Sequence, residues 1–206
     1  FGEQGVIDRF GQIEPKVLFC VDGYFYNGKS QNCLRKIKSF SAKLSTVKQV
    51  VMFDYASLDK ISIKNSISYN EILDNYNPKK IEFKRVDFDN PLYIMYSSGT
   101  TGVPKCIVHG HGGTLLQHLK EHQLHTNISS GDRVFYFTTC SWMMWNWLVS
   151  ALATQATIML YDGSPSYPDD TVLWRFANDE QFTHFGTSAK YIAVSYTHLR
   201  AHETVH

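Results

Sequence analysis

Short apolar runs alternate with helical repeats along this chain. The continuous apolar segment at residues 17–21 and the mostly apolar segments at residues 49–53 and 134–138 have the length of buried strands. The stretches 6–13 and 33–44 instead place apolar residues three and four positions apart, as amphipathic helices do. Strands that alternate with helices of this length favour parallel sheets covered by helices. The sequence therefore predicts an α/β fold with mostly parallel sheets and helices on both faces.

The remaining elements follow the same pattern. Further strands are predicted at residues 92–96, 106–108, 157–161 and 182–185, and further helices at residues 112–124, 143–153 and 171–178. We expect the helix at 143–153 to be buried, because it belongs to the longest apolar run of the chain. Residues 55–90 are polar with scattered aromatic side chains and predict a connection of short mixed elements.

Composition limits the classes of partner. With 206 residues, 43% of them hydrophobic, the chain can form a globular core. A net charge of +1 offers no electrostatic basis for binding nucleic acid or an anionic membrane, and no apolar run is long enough to cross a bilayer. The four cysteines are widely spaced without a Cys-x-x-Cys pair, as is typical of reduced thiols. We therefore expect a cytoplasmic protein with small-molecule substrates and neither nucleic acid nor membrane partners.

Residues 96–105, Tyr-Ser-Ser-Gly-Thr-Thr-Gly-Val-Pro-Lys, combine hydroxyls, glycines and a cation in one short loop. Gly99 and Gly102 allow backbone N–H groups to approach anionic oxygens, and Lys105 adds a mobile positive charge. The loop has neither the Walker A spacing nor a G-x-G-x-x-G pattern. A polar turn between two strands is the alternative. We interpret the segment as a polyphosphate-binding loop.

At these residues the chain resembles the adenylate-forming superfamily of acyl-CoA synthetases, adenylation domains and luciferases. The blocks at 107–119 and 137–139, with Trp-Met-Met-Trp-Asn at 142–146, are similar to the acetoacetyl-CoA synthetase (acetoacetate–CoA ligase) family. This resemblance implies ATP-dependent activation of acetoacetate to an acyl-adenylate, followed by thioester formation with CoA, and Mg²⁺ as the bridging ion. An acetyl- or propionyl-CoA synthetase and a truncated, non-catalytic nucleotide-binding module remain open as alternatives.

The resemblance also implies roles for individual residues. Lys105, Thr100 and Thr101 would act in catalysis, and the ATP phosphates would be bound by Ser97, Ser98, Gly99, Thr100, Thr101, Gly102 and Lys105. Trp142, Met143 and Met144 would line the acyl pocket, whereas Phe1, Gly2 and Lys29 would lie near CoA. Alternatively, these three large side chains simply begin a core helix, and Lys29 is a solvated residue after an Asn-Gly turn.

The family pattern predicts where the domain lies in the chain. Residues 1–194 are expected to form part of an AMP-binding (adenylation) domain, and residues 195–206, which depart from the pattern, are expected to be a non-native tail. The family's adenine, ribose and C-terminal lysine motifs do not occur in the chain. We therefore expect the chain to be inactive by itself.

Three histidines are spaced as metal ligands can be. His118, His122 and His125 fall at positions i, i+4 and i+7 and share one predicted helix face. However, no carboxylate or cysteine is spaced to complete a site, and the first two histidines flank Leu115 and Leu119. We predict partly buried structural histidines and no metal site.

Overall fold

The structure, a computed structural model, describes residues 2–59, 61–97 and 102–203, with side chains up to residue 196. The contacts divide the chain into two units. The first contains residues 1–86 and 93–108, and the second contains residues 87–92 and 109–206. Each unit is described by itself.

The first unit is built on a parallel sheet and two strand pairs. Its helices are α1 (Glu3–Ile13), α2 (Leu34–Lys43) and α3 (Tyr69–Asn75), and its strands are β1 (Val17–Val21), β2 (Gly23–Tyr26), β3 (Lys29–Asn32), β4 (Gln49–Phe53), β5 (Ser66–Ser68) and most of β6 (Pro91–Tyr96) and β7 (Cys106–Gly110). Strands β1, β4 and β5 form the parallel sheet in that order, β2 pairs antiparallel with β3, and β6 pairs with β7.

The core of this unit forms where α2 packs on the parallel sheet. Leu34, Ile37 and Phe40 are buried on one stripe of α2 and belong to the same apolar cluster as Leu18 and Val50. Three- and four-residue spacing on the helix and alternation on the strands bring these side chains to one interface. The predicted strands 17–21 and 49–53 are confirmed, as are the helices predicted before and between them.

The hairpin formed by β2 and β3 was absent from the sequence prediction. Asn27 and Gly28 adopt positive φ angles of 51° and 73°, a conformation that an Asn-Gly pair accepts readily in a two-residue hairpin turn. Lys29 is the first residue of β3 and is exposed. All four residues of β3 are exposed, so the strand lacks the alternation by which strands are recognised in sequence.

The second unit has a smaller parallel sheet. Its helices are α4 (His111–Leu119), α5 (Met143–Ser150), α6 (Val172–Asp179) and α7 (Ala189–Glu203), and its strands are β8 (Arg133–Tyr136), β9 (Thr157–Met159) and β10 (His184–Gly186). A π-helical turn (Lys120–His125) follows α4, and a 3-10 turn (Ala151–Thr154) follows α5. The strand order is β10-β8-β9, with parallel pairing throughout.

The helix predicted at 143–153 is not uniformly buried: within α5 only Leu148 is fully buried, because one face packs near β8 and the rest stays accessible. Helix α7 continues across residue 195, and Ser195 is buried. The origin of residues 195–206 stays a prediction. The predicted α/β class with parallel sheets is confirmed. Within the described ranges, no helix is both long enough and apolar enough to cross a membrane.

Candidate active-site segments

Two hydrogen bonds between Ser97 and Lys105 close the base of the predicted phosphate loop. The Ser97 N–H donates to the Lys105 carbonyl oxygen at 3.0 Å, and the Lys105 N–H donates to Ser97 Oγ at 3.2 Å. The Lys105 side chain is exposed. Gly102 has a φ of 97° and open space around its Cα, so this loop position favours glycine for conformation rather than for lack of room.

The tip of this loop lies outside the described residues. Ser98, Gly99, Thr100 and Thr101 belong to it, and their predicted contacts with ATP stay predictions. Of the predicted phosphate ligands, the structure brings Ser97 and Lys105 together. Since the Ser97 hydroxyl oxygen already accepts a bond from the Lys105 N–H, we interpret Ser97 first as a loop-closing residue.

Helix α1 supports both strands that flank the loop. Gln12 Nε2 donates to the Pro104 carbonyl at 2.8 Å, and Cys106 Sγ donates to Gln12 Oε1 at 3.6 Å. The Tyr96 hydroxyl donates to the Arg9 carbonyl at 3.1 Å. Burial raises the pKa of Tyr96, which keeps this hydroxyl protonated and able to donate. Gln12 is not predicted from the sequence, since an amide on an exposed helical turn carries no signal of such a role.

The residues predicted to lie near CoA are placed only in part. Phe1 lies outside the described residues. Gly2 is the N-cap of α1, and its carbonyl accepts the Val6 N–H at 3.2 Å. A Cβ added to Gly2 would meet no atom within 4 Å, so packing within the described structure does not require glycine there. The predicted proximity of Phe1, Gly2 and the exposed Lys29 to CoA stays a prediction.

Trp142, Met143 and Met144 form the turn into α5. Trp142 is the N-cap, with its N–H donating to the Thr139 carbonyl at 3.0 Å and its carbonyl accepting the Trp145 N–H at 3.0 Å. Trp142 is 67% exposed and Met143 is 48% exposed, whereas Met144 is half-buried. The exposed indole and thioether are available to a ligand, so they fit a pocket wall better than a core. For Met144 both interpretations remain.

The histidines of the predicted metal face separate into two environments. His118 and His122 are buried, and both contact the Ser150 hydroxyl, but His125 is exposed. The expectation that all three share one partly buried face is therefore wrong for His125, the last residue of the π-helical turn that also contains the buried His122. Within the described part of the chain, no three His, Cys, Asp or Glu side chains are grouped so that they could hold a metal ion.

A buried carboxylate organises the loop after β4. Asp22, directly after β1, is 3% exposed. Its Oδ1 accepts the N–H groups of Gly23, Tyr55 and Ala56, and its Oδ2 accepts that of Leu58, all at 2.8 to 2.9 Å. Burial acts to raise the pKa of Asp22, but the four N–H groups together outweigh it and lower the pKa. In the sequence, Asp22 directly follows a predicted strand, and no local pattern indicates these contacts.

The resemblance to adenylate-forming enzymes rests on the loop between β6 and β7. This segment is rich in glycine and hydroxyl side chains, and it ends at the exposed Lys105. Residues 1–199 match the family described as AMP-binding enzyme, and the chain belongs to that family. It is 50% identical to the acetoacetyl-coenzyme A synthetase of Rhizobium meliloti (strain 1021), over 98% of this chain and 32% of the relative. It is also 50% identical to the acetoacetyl-CoA synthetase of Gallus gallus, over 94% of this chain and 30% of the relative.

A solved structure gives the same result for the fold. The acetoacetyl-CoA synthetase from Streptomyces lividans superposes with a TM-score of 0.89 at 42% identity, covering 96% of this chain and 30% of that protein. The predicted family resemblance and the predicted fold class are confirmed. The chain spans about a third of the length of these relatives, so their activity is carried to it only as a proposal.

Proposed function

We propose that this chain is part of an ATP-dependent acid–thiol ligase that activates acetoacetate as an acyl-adenylate and transfers it to CoA. The main support for this proposal is that nearly the whole chain is 50% identical to proteins named acetoacetyl-CoA synthetase. The loop closed by Ser97 and Lys105 supports it, because an exposed lysine beside a glycine turn suits a polyphosphate. Residues 1–194 would then form part of the adenylation domain.

The chain's own groups suggest how the first half-reaction is assisted. When the carboxylate of the substrate attacks the α-phosphorus of ATP, pyrophosphate leaves and negative charge accumulates on it. The Lys105 ammonium would stabilise that charge, while the hydrogen bonds from Gln12 to Pro104 and between Ser97 and Lys105 hold the loop base in place. The exposed Trp142 and Met143 side chains offer an apolar wall for a short acyl group.

Magnesium would enter with the nucleotide. Mg²⁺ prefers oxygen ligands and commonly uses few protein groups together with substrate phosphates. This fits the composition of the loop, where hydroxyl oxygens predominate. The ion would neutralise phosphate charge. We also propose the cytoplasm as the compartment, since Cys20, Cys33, Cys106 and Cys140 are all free thiols, as is typical of reducing environments.

The 206-residue chain by itself is expected to form no acyl-adenylate, since it spans about a third of its relatives and lacks the family's other nucleotide motifs. Acetoacetate-dependent exchange of labelled pyrophosphate into ATP should be at background for the chain and clear for the complete protein that contains it. Exchange by the chain alone would contradict the prediction. ATP binding by the complete protein without exchange for acetoacetate, acetate or propionate would favour the non-catalytic nucleotide-binding module.

Met143 and Met144 are expected to influence acyl selectivity. Met143→Ala and Met144→Ala in the complete protein should each change the ratio of kcat/KM for acetoacetate over acetate by about tenfold, because one methylene of pocket fit corresponds to about 1–3 kcal/mol. The matched control is Met159→Ala, which removes a buried methionine from β9 and should lower the melting temperature without changing the ratio. A lowered melting temperature with an unchanged ratio for both test variants would place these methionines in the core.

A further inference from the structure

One serine joins two buried histidines in the second unit. Ser150 Oγ lies 2.9 Å from His118 Nδ1 and 2.9 Å from His122 Nε2, and it donates to the Trp147 carbonyl at 2.7 Å. His118 is 7% exposed and His122 is fully buried. The Trp147 ring lies 4.3 Å from the His122 ring, centroid to centroid, and its Nε1 donates to Glu121 Oε2 at 3.0 Å. Three elements therefore meet at this hydroxyl: α4, the π-helical turn and α5.

The number of protons fixes the direction of each bond. A serine hydroxyl has one proton, and a carbonyl can only accept, so the proton of Ser150 points to Trp147. The assignment that makes hydrogen bonds of all three contacts has both imidazole nitrogens donating to Ser150 Oγ, with His118 as the Nδ1-protonated tautomer and His122 as the Nε2-protonated tautomer. His122 Nδ1 is buried without a hydrogen-bond partner among the described residues. A second proton on His122 would occupy that site.

Ser150 is the last residue of α5, and the first turn of the same helix carries Met143 and Met144 behind the N-cap Trp142. We propose that His118, His122 and Ser150 are positioning residues that fix α5 and thereby hold the Trp142–Met144 turn in the geometry needed for the acyl substrate, and that they do so with both imidazoles neutral. This inference depends on the proposed function, which places the acyl group at that turn. A fixed helix is the usual support for a precise pocket wall.

The surrounding charges support neutral imidazoles. Burial lowers the pKa of His118, reinforced by His109 and opposed by Glu121. Burial also lowers the pKa of His122. The nearby His118 lowers this pKa further, whereas the Trp147 carbonyl and Glu121 act to raise it. The titratable groups that face the pair are thus Glu121 from the π-helical turn and His109 from β7, while α5 and the 3-10 turn contain no titratable side chain.

The pH dependence has a definite sign. The folded protein disfavours the second proton on each ring, whereas unfolded histidine accepts one near pH 6.5. The contribution to stability is therefore complete above about pH 6.5, and it is lost as the pH falls from there through the lower pKa values of the folded state. In that range the KM for acetoacetate should rise as protonation loosens α5.

The decisive variant is Ser150→Ala in the complete protein, because it removes the common acceptor of both imidazoles. We expect faster hydrogen–deuterium exchange in the peptide containing α5, by about tenfold, and a KM for acetoacetate raised by about tenfold with the KM for ATP within about twofold of wild type. Ser150→Thr, which retains the hydroxyl, should restore both. His122→Gln, which cannot be protonated, should flatten the rise in acetoacetate KM that the wild type shows as the pH falls below about 6.5.

The matched control is Thr154→Val. It also removes a hydroxyl that donates to the carbonyl three residues earlier, but within the described part of the chain this hydroxyl forms no hydrogen bond with His118 or His122. It should leave the acetoacetate KM and its pH profile unchanged. Unchanged α5 exchange in Ser150→Ala would overturn the proposal, as would faster exchange with an unchanged acetoacetate KM. A wild-type protein inactive with acetoacetate would instead refute the proposed function, and the exchange data would still show whether Ser150 fixes α5.

Discussion

Lys105→Ala is expected to lower the rate of adenylate formation by about ten- to a thousandfold in the complete protein that contains this chain. The lysine side chain is exposed at the base of a loop whose ends are joined by the Ser97–Lys105 hydrogen bonds. The backbone that carries this charge is thus held before substrate arrives, and a positive charge contributes most when it acts on negative charge that develops during the reaction. The measurement is acetoacetate-dependent pyrophosphate exchange at saturating ATP.

Two further variants control this experiment. Lys105→Arg retains the charge with a different shape and should retain more activity than the alanine variant. Lys38→Ala removes an exposed lysine from α2 in the same unit and should leave the exchange rate unchanged. Wild-type exchange in Lys105→Ala would remove Lys105 from the phosphate site, whatever the effect of the other substitutions.

Asp22→Ala is expected to have the largest effect on stability. The substitution removes the buried acceptor of four N–H groups, those of Gly23, Tyr55, Ala56 and Leu58, in a buried or partly buried setting. Hydrogen bonds to a charged group contribute about 1.5–3 kcal/mol each, so a loss of at least about 3 kcal/mol is expected after local rearrangement. Urea unfolding followed by far-ultraviolet circular dichroism measures it. A change below about 1 kcal/mol would contradict this role.

The same carboxylate predicts a pH effect and offers a control. Because the folded state lowers the pKa of Asp22, its contribution to stability is complete above the ordinary aspartate pKa of 3.8 and is lost as the pH falls through the lower folded value. Asp22→Asn should remove that dependence. Asp74→Asn, on an exposed position of α3, should change neither stability nor its pH profile appreciably.

Local patterns determined most secondary structure and the family. Apolar runs and helical spacing predicted β1, β4, α1 and α2 close to their observed bounds, because these patterns arise from the side-chain period of each element. The unusual loop composition at 96–105 led to the AMP-binding family, which the comparison confirms. Where side chains do not alternate, as in the fully exposed β3, the same reasoning found no strand.

Only the tertiary structure decided which side chains work together. Gln12 and Pro104 are 92 positions apart, His122 and Ser150 are 28 apart, and Asp22 contacts a backbone N–H 36 positions away. Spacing along the sequence indicates faces of a single element, so it placed His118, His122 and His125 together and said nothing of Ser150. Packing α5 against α4 and the π-helical turn selected two of these histidines and left His125 in solvent. Such pairings depend on how separate elements are packed, which no local period encodes.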